Sequence, residues 1–247
     1  MTSNTQQKQK SKKTTLSPKV NLNIERIKTG IHQLDSLIEG GIPKNSSTAL
    51  IAKAGCGKTI FSLQYLVEGA QKYNEKGIYF TFEEKKESLQ KQAIQFKWNL
   101  QKLEKSNLLN IISLGVEDIN SKTINDIIQI IKDTKAKRVV IDSISTLSYL
   151  LYEQDSTNLQ IRKFIYQFIS KLNELETTSI LICQEEEIQI TTITKYACDG
   201  IIQLEFESLG GEYSRTLTIS KMRKTKNNED IHPLEINSSG IIVHTIE

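Results

Sequence analysis

Short apolar runs alternate with longer amphipathic segments along the chain from about residue 25. The short runs have the length and composition of strands, and the longer segments repeat apolar residues every three or four positions, as helices do. The predicted strands are Ser47–Ala52, Gly77–Phe82, Leu108–Ser113, Arg138–Ile141 and Ser179–Cys183. The predicted helices are Thr59–Tyr73, Glu87–Leu100, Thr123–Thr134 and Leu159–Leu175. Strands that alternate with helices of this length imply crossover connections and a parallel sheet.

After residue 198 the pattern changes to strands without helices between them. The predicted strands in this part are Gly200–Phe206, Arg215–Ser220, Leu234–Ile236 and Ile241–Thr245. Glycine and serine pairs supply the turns, at Gly210-Gly211 and Ser238-Ser239-Gly240. Because short turns join antiparallel neighbours, we expect these strands to extend one edge of the sheet in antiparallel order. The predicted fold class is therefore α/β with a mostly parallel central sheet.

The composition is that of a globular protein with one large domain, since 38% of its 247 residues are hydrophobic and 25% are charged. The three cysteines are widely spaced, and neither they nor the three histidines show the spacing of a disulfide framework or a metal site. No apolar run approaches the roughly 20 residues of a membrane span. The N-terminus also lacks the apolar core of a secretory signal. These features predict a cytoplasmic protein that does not span a membrane.

Residues 1–22 are polar and carry the five lysines Lys8, Lys10, Lys12, Lys13 and Lys19 without any acidic residue. The net charge of +3 is therefore uneven, and the rest of the chain is slightly acidic. Such a segment buries too little apolar surface to offset the entropy of ordering it. The sequence thus predicts a disordered basic tail over residues 1–22 and a folded domain over residues 23–247. A tether to a partner, or a weak contact with nucleic acid, is the alternative interpretation of the tail.

One segment between a predicted strand and a predicted helix, residues 52–59, reads Ala-Lys-Ala-Gly-Cys-Gly-Lys-Thr. It matches the phosphate-binding loop, or P-loop, whose glycines turn backbone N–H groups toward phosphate oxygens at a helix N-terminus. Ala52 departs from the usual first glycine, and a chance Gly-Lys-Thr turn is the alternative that the flanking strand and helix argue against. The motif predicts binding of ATP with Mg²⁺. The residues expected to contact the nucleotide are Ala54, Gly55, Cys56, Gly57, Lys58, Thr59 and Ile60.

Two residues, Thr59 and Asp142, are candidate metal ligands. Within the P-loop, Lys58 is expected to reach the β- and γ-phosphates, and the hydroxyl group of Thr59 is expected to bind Mg²⁺. Asp142 directly follows the apolar strand Arg138–Ile141, where the acidic residue of a Walker B motif stands. Ligands bind at the carboxyl ends of parallel strands, so Asp142 should face Thr59.

A pair of glutamates, Glu83 and Glu84, follows the predicted strand Gly77–Phe82. This position places a carboxylate beside the γ-phosphate, where one of the two could act as general base toward the attacking water. Consecutive residues of an extended segment point in opposite directions, so only one is expected to face the site. The alternative is that both glutamates are solvated and stabilise the N-terminus of the next helix.

The order of these motifs resembles the KaiC-type ATPases of the RecA/RadA superfamily over roughly residues 25–246. Besides the P-loop and Asp142, the matching segments are Arg26–Gly41, Thr81-Phe82-Glu83-Glu84, Cys198-Asp199-Gly200-Ile201-Ile202 and Lys221-Met222-Arg223. The resemblance implies a RecA-like three-layer α/β/α fold, slow ATP hydrolysis and a signalling or regulatory role. It further implies a homo-oligomeric ring, usually a hexamer, with protein partners that the sequence does not name.

The same resemblance assigns Lys221 and Arg223 to the γ-phosphate of the neighbouring subunit's ATP. An arginine supplies a fixed fork of donors as charge develops on the transferred phosphoryl group. From the residues alone, these two cations would be taken as an ordinary charged strand end.

Three departures from the family limit the resemblance. The clock protein of the family has two such domains, and this chain has one. Asn227 stands where the family often has a histidine. Lys195 and Tyr196 stand where the second domain of the clock protein has its phosphorylated serine and threonine, so we expect no autokinase activity of that kind. The nearby Thr191, Thr192 and Thr194 are expected in a loop or strand.

Two other functions remain open on the sequence. A RadA-like accessory ATPase of DNA repair would need a basic or glycine-rich loop after Ser179–Cys183, but the segment there is Gln184-Glu185-Glu186-Glu187. Three carboxylates would repel phosphate groups, which bind lysine and arginine. A nucleotide switch with little turnover, like the ATPase of the archaeal motility motor, is the other alternative, and both Glu83-Glu84 and Arg223 argue against it.

Overall fold

A mixed β-sheet forms the centre of the computed structural model, which describes residues 23–148, 157–206 and 215–245. The strands are β1 Arg26–Ile27, β2 Ile42–Pro43, β3 Ser47–Ala52, β4 Gly77–Thr81, β5 Leu109–Ser113, β6 Arg138–Asp142, β7 Thr178–Gln184, β8 Gly200–Phe206, β9 Arg215–Met222, β10 His232–Asn237 and β11 Gly240–Val243. The α-helices are α1 Leu34–Leu37, α2 Lys58–Tyr73, α3 Lys86–Gln95, α4 Leu100–Lys105, α5 Thr123–Thr134, α6 Ile144–Leu147, α7 Asn158–Glu174 and α8 Ile188–Ala197. A 3₁₀ turn spans Val116–Asp118.

The strand order in the main sheet is β11-β10-β9-β8-β3-β7-β6-β4-β5. The six strands from β8 to β5 are parallel, and β9, β10 and β11 extend the edge in antiparallel order. Strands β1 and β2 form a separate antiparallel pair. The predicted α/β class, with a mostly parallel sheet and an antiparallel extension, is confirmed.

Helices cover both faces of the sheet because successive residues of the buried strands point to opposite sides. In β3, Leu50 and Ala52 belong to the core under α2. Ala49 and Ile51 belong to the core under α5, α7 and α8. The result is the three-layer arrangement that the resemblance implied.

The helix predicted over Glu87–Leu100 is wrong as a single element. Helix α3 ends at Gln95, and α4 begins at Leu100. Lys97 between them has φ 62°, and the rings of Phe96 and Trp98 stack with their centroids 4.9 Å apart. The side chain of Asn99 then accepts a hydrogen bond from Lys102 N at 2.9 Å, which caps the new helix.

The loop or strand predicted around Thr191–Thr194 is also wrong, since these residues lie in α8. The hydroxyl group of Thr194 donates to Ile190 O at 2.8 Å, so the helix satisfies a side chain that intrinsic propensity assigns to strands. Because α8 forms a crossover after β7, strand β8 lies parallel to β3, and the antiparallel order predicted after residue 198 begins with the pairing of β8 and β9.

The predicted disordered tail, residues 1–22, lies outside the described residues. Among the helices that the structure describes, none is both long enough and apolar enough to cross a membrane.

Candidate nucleotide-binding site

The P-loop connects the carboxyl end of β3 with the N-terminus of α2, as predicted. Gly55 has φ +80° and Gly57 has φ +106°, conformations that favour glycine over residues with a Cβ atom. A Cβ atom on Gly57 would lie 3.0 Å from Ile236 Cδ1, so this turn also passes close to the hairpin of β10 and β11. The loop backbone is thus free to present N–H groups to a phosphate at the positive end of α2.

Lys58 and Thr59 are the first two residues of α2. The ammonium group of Lys58 donates to Ala52 O at 2.9 Å and to Lys53 O at 3.0 Å, which holds it over the loop. Cys56 is buried inside the loop, and burial raises the pKa of its thiol. The small buried side chain of Cys56 fills the interior of the loop. Ala54 and Gly55 are exposed, and Ile60 is half-buried.

Asp142 ends β6 at the same edge of the sheet and is followed by a cis peptide bond to Ser143. Its Oδ2 atom accepts a hydrogen bond from the hydroxyl group of Tyr79, at 2.6 Å. Burial raises the pKa of Asp142 to about 6, while the Tyr79 hydrogen bond opposes this and the charges of Glu83 and Glu84 add to it. The three carboxylates therefore form one acidic cluster opposite Lys58.

Glu83 reaches across the ends of β6 and β7. Its Oε1 atom accepts from Thr146 Oγ1 at 2.9 Å and from Gln184 Nε2 at 2.8 Å, with Ser143 Oγ at 3.5 Å. Gln184 ends β7, and it pairs in register with Ala52 at the start of the P-loop. The Glu83 carboxylate therefore lies beside the strand that carries the P-loop. It remains exposed and has only neutral donors.

Glu84 points toward α2 and α3. Its Oε1 atom lies 3.4 Å from Thr59 Oγ1, and its Oε2 atom accepts from Gln92 Nε2 at 2.6 Å and from Ser88 Oγ at 3.2 Å. The expectation that only one glutamate faces the site is wrong, because the chain bends at residues 82–84 and does not continue as a strand. Glu84 also contacts the first turns of α3, as the alternative interpretation of the pair proposed.

The side chains at this edge suit Mg²⁺ bound together with a nucleotide. They offer one hydroxyl group, Thr59, and the carboxylates of Asp142 and Glu84, all oxygen ligands. Among the described residues, no three or more His, Cys, Asp or Glu side chains are grouped so that they could hold a metal ion. A site of this kind takes its remaining ligands from phosphate and water, as magnesium sites do.

Lys221 and Arg223 lie at the opposite edge of the sheet from the P-loop, where the parallel strands have their amino ends. In β9, Met222 pairs with Gly200 of β8, and Gly200 pairs with Thr48 near the start of β3. Ala52 is four residues further along β3, or roughly 13 Å at about 3.3 Å per residue. The structure therefore does not bring Lys221 or Arg223 to the P-loop of their own chain.

Backbone carbonyl groups and one carboxylate hold these two cations. The Lys221 ammonium donates to Cys198 O at 2.6 Å and to Lys195 O at 3.1 Å, and burial lowers its pKa. Arg223 pairs with Asp199, at 3.2 Å between Nη1 and Oδ1, and its side chain remains 54% exposed. Arg223 thus extends from the sheet edge with most of its donors available.

Three further residues support these two edges and were not predicted from the sequence. Tyr79 and Gln184 contact the acidic residues of the P-loop edge. Arg26 fixes the turn after Arg223, since its guanidinium donates to Lys224 O at 3.0 Å and to Thr225 Oγ1 at 2.8 Å. The partners of all three are distant in the sequence, so no local pattern marks these residues.

Comparison with known proteins agrees with the family resemblance that the sequence motifs indicated. The family model described as the ATPase KaiC matches residues 27–247. A UPF0273 protein of Thermotoga maritima is 32% identical over 246 residues, covering 91% of this chain and 98% of that protein. The circadian clock oscillator protein KaiC of Prochlorococcus marinus is 31% identical over 244 residues, covering 94% of this chain and 47% of that protein. The crystal structure of a KaiC-like protein from Pyrococcus horikoshii has a TM-score of 0.79 at 31% identity, covering 90% of this chain and 100% of that chain.

Proposed function

Because this chain belongs to the KaiC ATPase family, we propose that it hydrolyses ATP at sites shared between neighbouring subunits of a ring. One observation carries the shared site. The P-loop, Asp142 and Glu83 lie at one edge of the sheet, and Arg223 lies at the other. An arginine that projects from the far edge can complete only the site of another copy.

Each side chain has a role that its contacts support. Lys58, at the start of α2, binds the β- and γ-phosphates. Thr59 and Asp142 would hold Mg²⁺, which would neutralise charge on the phosphate oxygens. Glu83 is the proposed general base, since its carboxylate is exposed and Thr146 and Gln184 fix its direction. Glu84, which contacts both Thr59 and α3, orients the hydroxyl group of Thr59 toward the metal.

Lys221 and Arg223 would bind the γ-phosphate of the next subunit as negative charge develops on it. An interface that joins one edge of a subunit to the opposite edge of the next is heterologous, and such interfaces close into rings when the rotation permits. The family resemblance supports slow turnover and a regulatory role for such a ring. The acidic segment after β7 favours this function over binding of DNA at that edge, because carboxylates repel phosphate groups. In this segment, Glu185 Oε2 lies 3.9 Å from Lys53 Nζ.

A mixing experiment tests the shared site. Arg223→Ala protein keeps an intact P-loop, and Lys58→Ala protein keeps an intact Arg223, so each alone should have little activity. In random mixed rings at equal concentration, about one quarter of the heterologous interfaces would join an intact P-loop to an intact Arg223. ATP hydrolysis should therefore recover to about a quarter of the wild-type value per subunit.

Arg162→Ala is the matched control, because Arg162 is an exposed arginine of α7 whose guanidinium lies over the Tyr166 ring of the same helix. This variant alone should keep wild-type turnover. If tagged subunits of the two inactive variants copurify and the mixture still shows no recovery, the shared site is wrong.

A further inference from the structure

The hydroxyl group of Tyr79 is an unusual feature of the sheet interior. Tyr79 lies in the middle of β4 with 0% of its surface exposed, in the core beneath α2. Its neighbours in the strand, Ile78 and Phe80, are apolar and belong to the other core. A phenylalanine would fill almost the same space without a polar atom, and a buried hydroxyl group is unfavourable unless it forms a hydrogen bond.

That hydroxyl group has one acceptor, and it is the predicted metal ligand. In the sheet register Tyr79 pairs with Val140, and its phenol leans along the strand to reach Oδ2 of Asp142 at 2.6 Å. A hydrogen bond of this length to a carboxylate is charge-assisted and strong. Tyr79 therefore holds one of the two side chains proposed to bind Mg²⁺.

We propose that Tyr79 is a positioning residue that sets the direction of the Asp142 carboxylate for Mg²⁺ binding. The hydrogen bond holds the carboxylate through Oδ2 and leaves Oδ1 open for the metal or its water. Residues that orient metal ligands in this way typically change metal affinity about 10- to 100-fold when they are lost. The inference rests on the proposed metal site and adds a residue, Tyr79, that fixes the geometry of one of its ligands.

The test is the isosteric variant Tyr79→Phe, which removes one oxygen atom. Tyr65→Phe is the matched control. Tyr65 is also fully buried, and its hydroxyl group donates to Thr178 O at 3.0 Å, at the opposite edge of the sheet. Both substitutions remove a buried phenol hydrogen bond, so both should lower thermal stability, and only one should affect the metal.

The readout is binding, measured without turnover. A fluorescent ATP analogue is titrated in EDTA and then at increasing Mg²⁺, and direct binding of Mn²⁺ is followed by electron paramagnetic resonance. In EDTA all proteins should bind the analogue alike. The half-saturating Mg²⁺ concentration should rise about 10-fold or more in Tyr79→Phe and stay unchanged in Tyr65→Phe. An unchanged value in Tyr79→Phe would overturn the inference.

Asp142→Asn separates this inference from the proposed site. If Asp142→Asn raises the required Mg²⁺ concentration and Tyr79→Phe does not, the metal site stands and the role of Tyr79 is wrong. If neither variant does so, the metal site itself is wrong. If Tyr79 acts through Asp142, the double variant should show the Mg²⁺ dependence of Asp142→Asn alone, whereas additive effects would assign Tyr79 an independent structural role.

Discussion

The two edges of the parallel sheet differ in what holds their charged residues. At the P-loop edge, Asp142, Glu83 and Glu84 accept hydrogen bonds from hydroxyl and amide groups that surround them. At the opposite edge, Lys221 is held by two carbonyl oxygens, and Arg223 has a single ion pair and faces outward. The groups at the first edge hold one another, whereas at the second edge the Arg223 side chain remains 54% exposed. In the proposed function, binding of ATP depends on the P-loop edge alone, whereas its hydrolysis depends on both edges.

Lys58→Ala should have the largest effect on the binding of ATP. It removes the cation proposed to donate to phosphate oxygens, and charged hydrogen bonds contribute about 1.5–3 kcal/mol each. The affinity for ATP should fall on the order of 100-fold. Arg223→Ala, at the other edge, should leave the affinity within about threefold, equivalent to less than 1 kcal/mol. Fluorescence titration with an ATP analogue measures both, and equal losses would remove the distinction between the edges.

The paired variants Glu83→Gln and Glu84→Gln should reduce turnover by different amounts. Loss of a general base costs about 10²- to 10⁴-fold, and this loss is expected for Glu83. Glu84 contacts Thr59 at 3.4 Å and has its second oxygen bound to α3, so its replacement should cost about 10-fold. Steady-state ATPase rates at saturating ATP and Mg²⁺ compare the two. A larger loss for Glu84→Gln would exchange the two roles.

Asp199→Asn should have the smallest effect, because it removes only the ion pair with an exposed arginine. Pairs of this kind contribute about 0.2–1 kcal/mol to stability. The amide oxygen can still accept from Ser47 N, which lies 3.3 Å from Oδ2. The midpoint of thermal unfolding and the ATPase rate should both stay close to wild type. A loss of activity comparable to that of Arg223→Ala would show that Asp199 directs the arginine toward its target.

The sequence predicted those parts of the site that local order determines. The P-loop needs only a strand, a glycine-containing loop and a helix in succession, and all three are visible in residues 47–73. Asp142 follows an apolar strand, and parallel strands bring their carboxyl ends to one edge. Motif order then supplied Lys221 and Arg223 through a family resemblance. No local pattern in the residues distinguishes them from other charged strand ends.

The missed features depend on contacts between distant parts of the chain. Tyr79 has the alternation of an ordinary core residue, and only the fold shows that its hydroxyl group reaches Asp142. Gln184 begins an acidic run in the sequence, and its contact with Glu83 spans 101 positions. Helix α8 was missed because its threonines favour strands in isolation, and the direction of β8 depended on that helix. Tertiary packing overrides intrinsic propensity in such segments.

The placement of the two halves of the site at opposite edges has a consequence for the dependence of activity on dilution. If Arg223 serves only a neighbouring copy, an isolated subunit binds ATP but lacks the groups that complete hydrolysis. Activity per subunit should then rise with protein concentration and reach a plateau once assembly is complete. An open row of subunits would always have one incomplete site at its end, whereas a closed ring would have none. Closure itself would therefore add the last active site, and the cell could regulate turnover by controlling assembly.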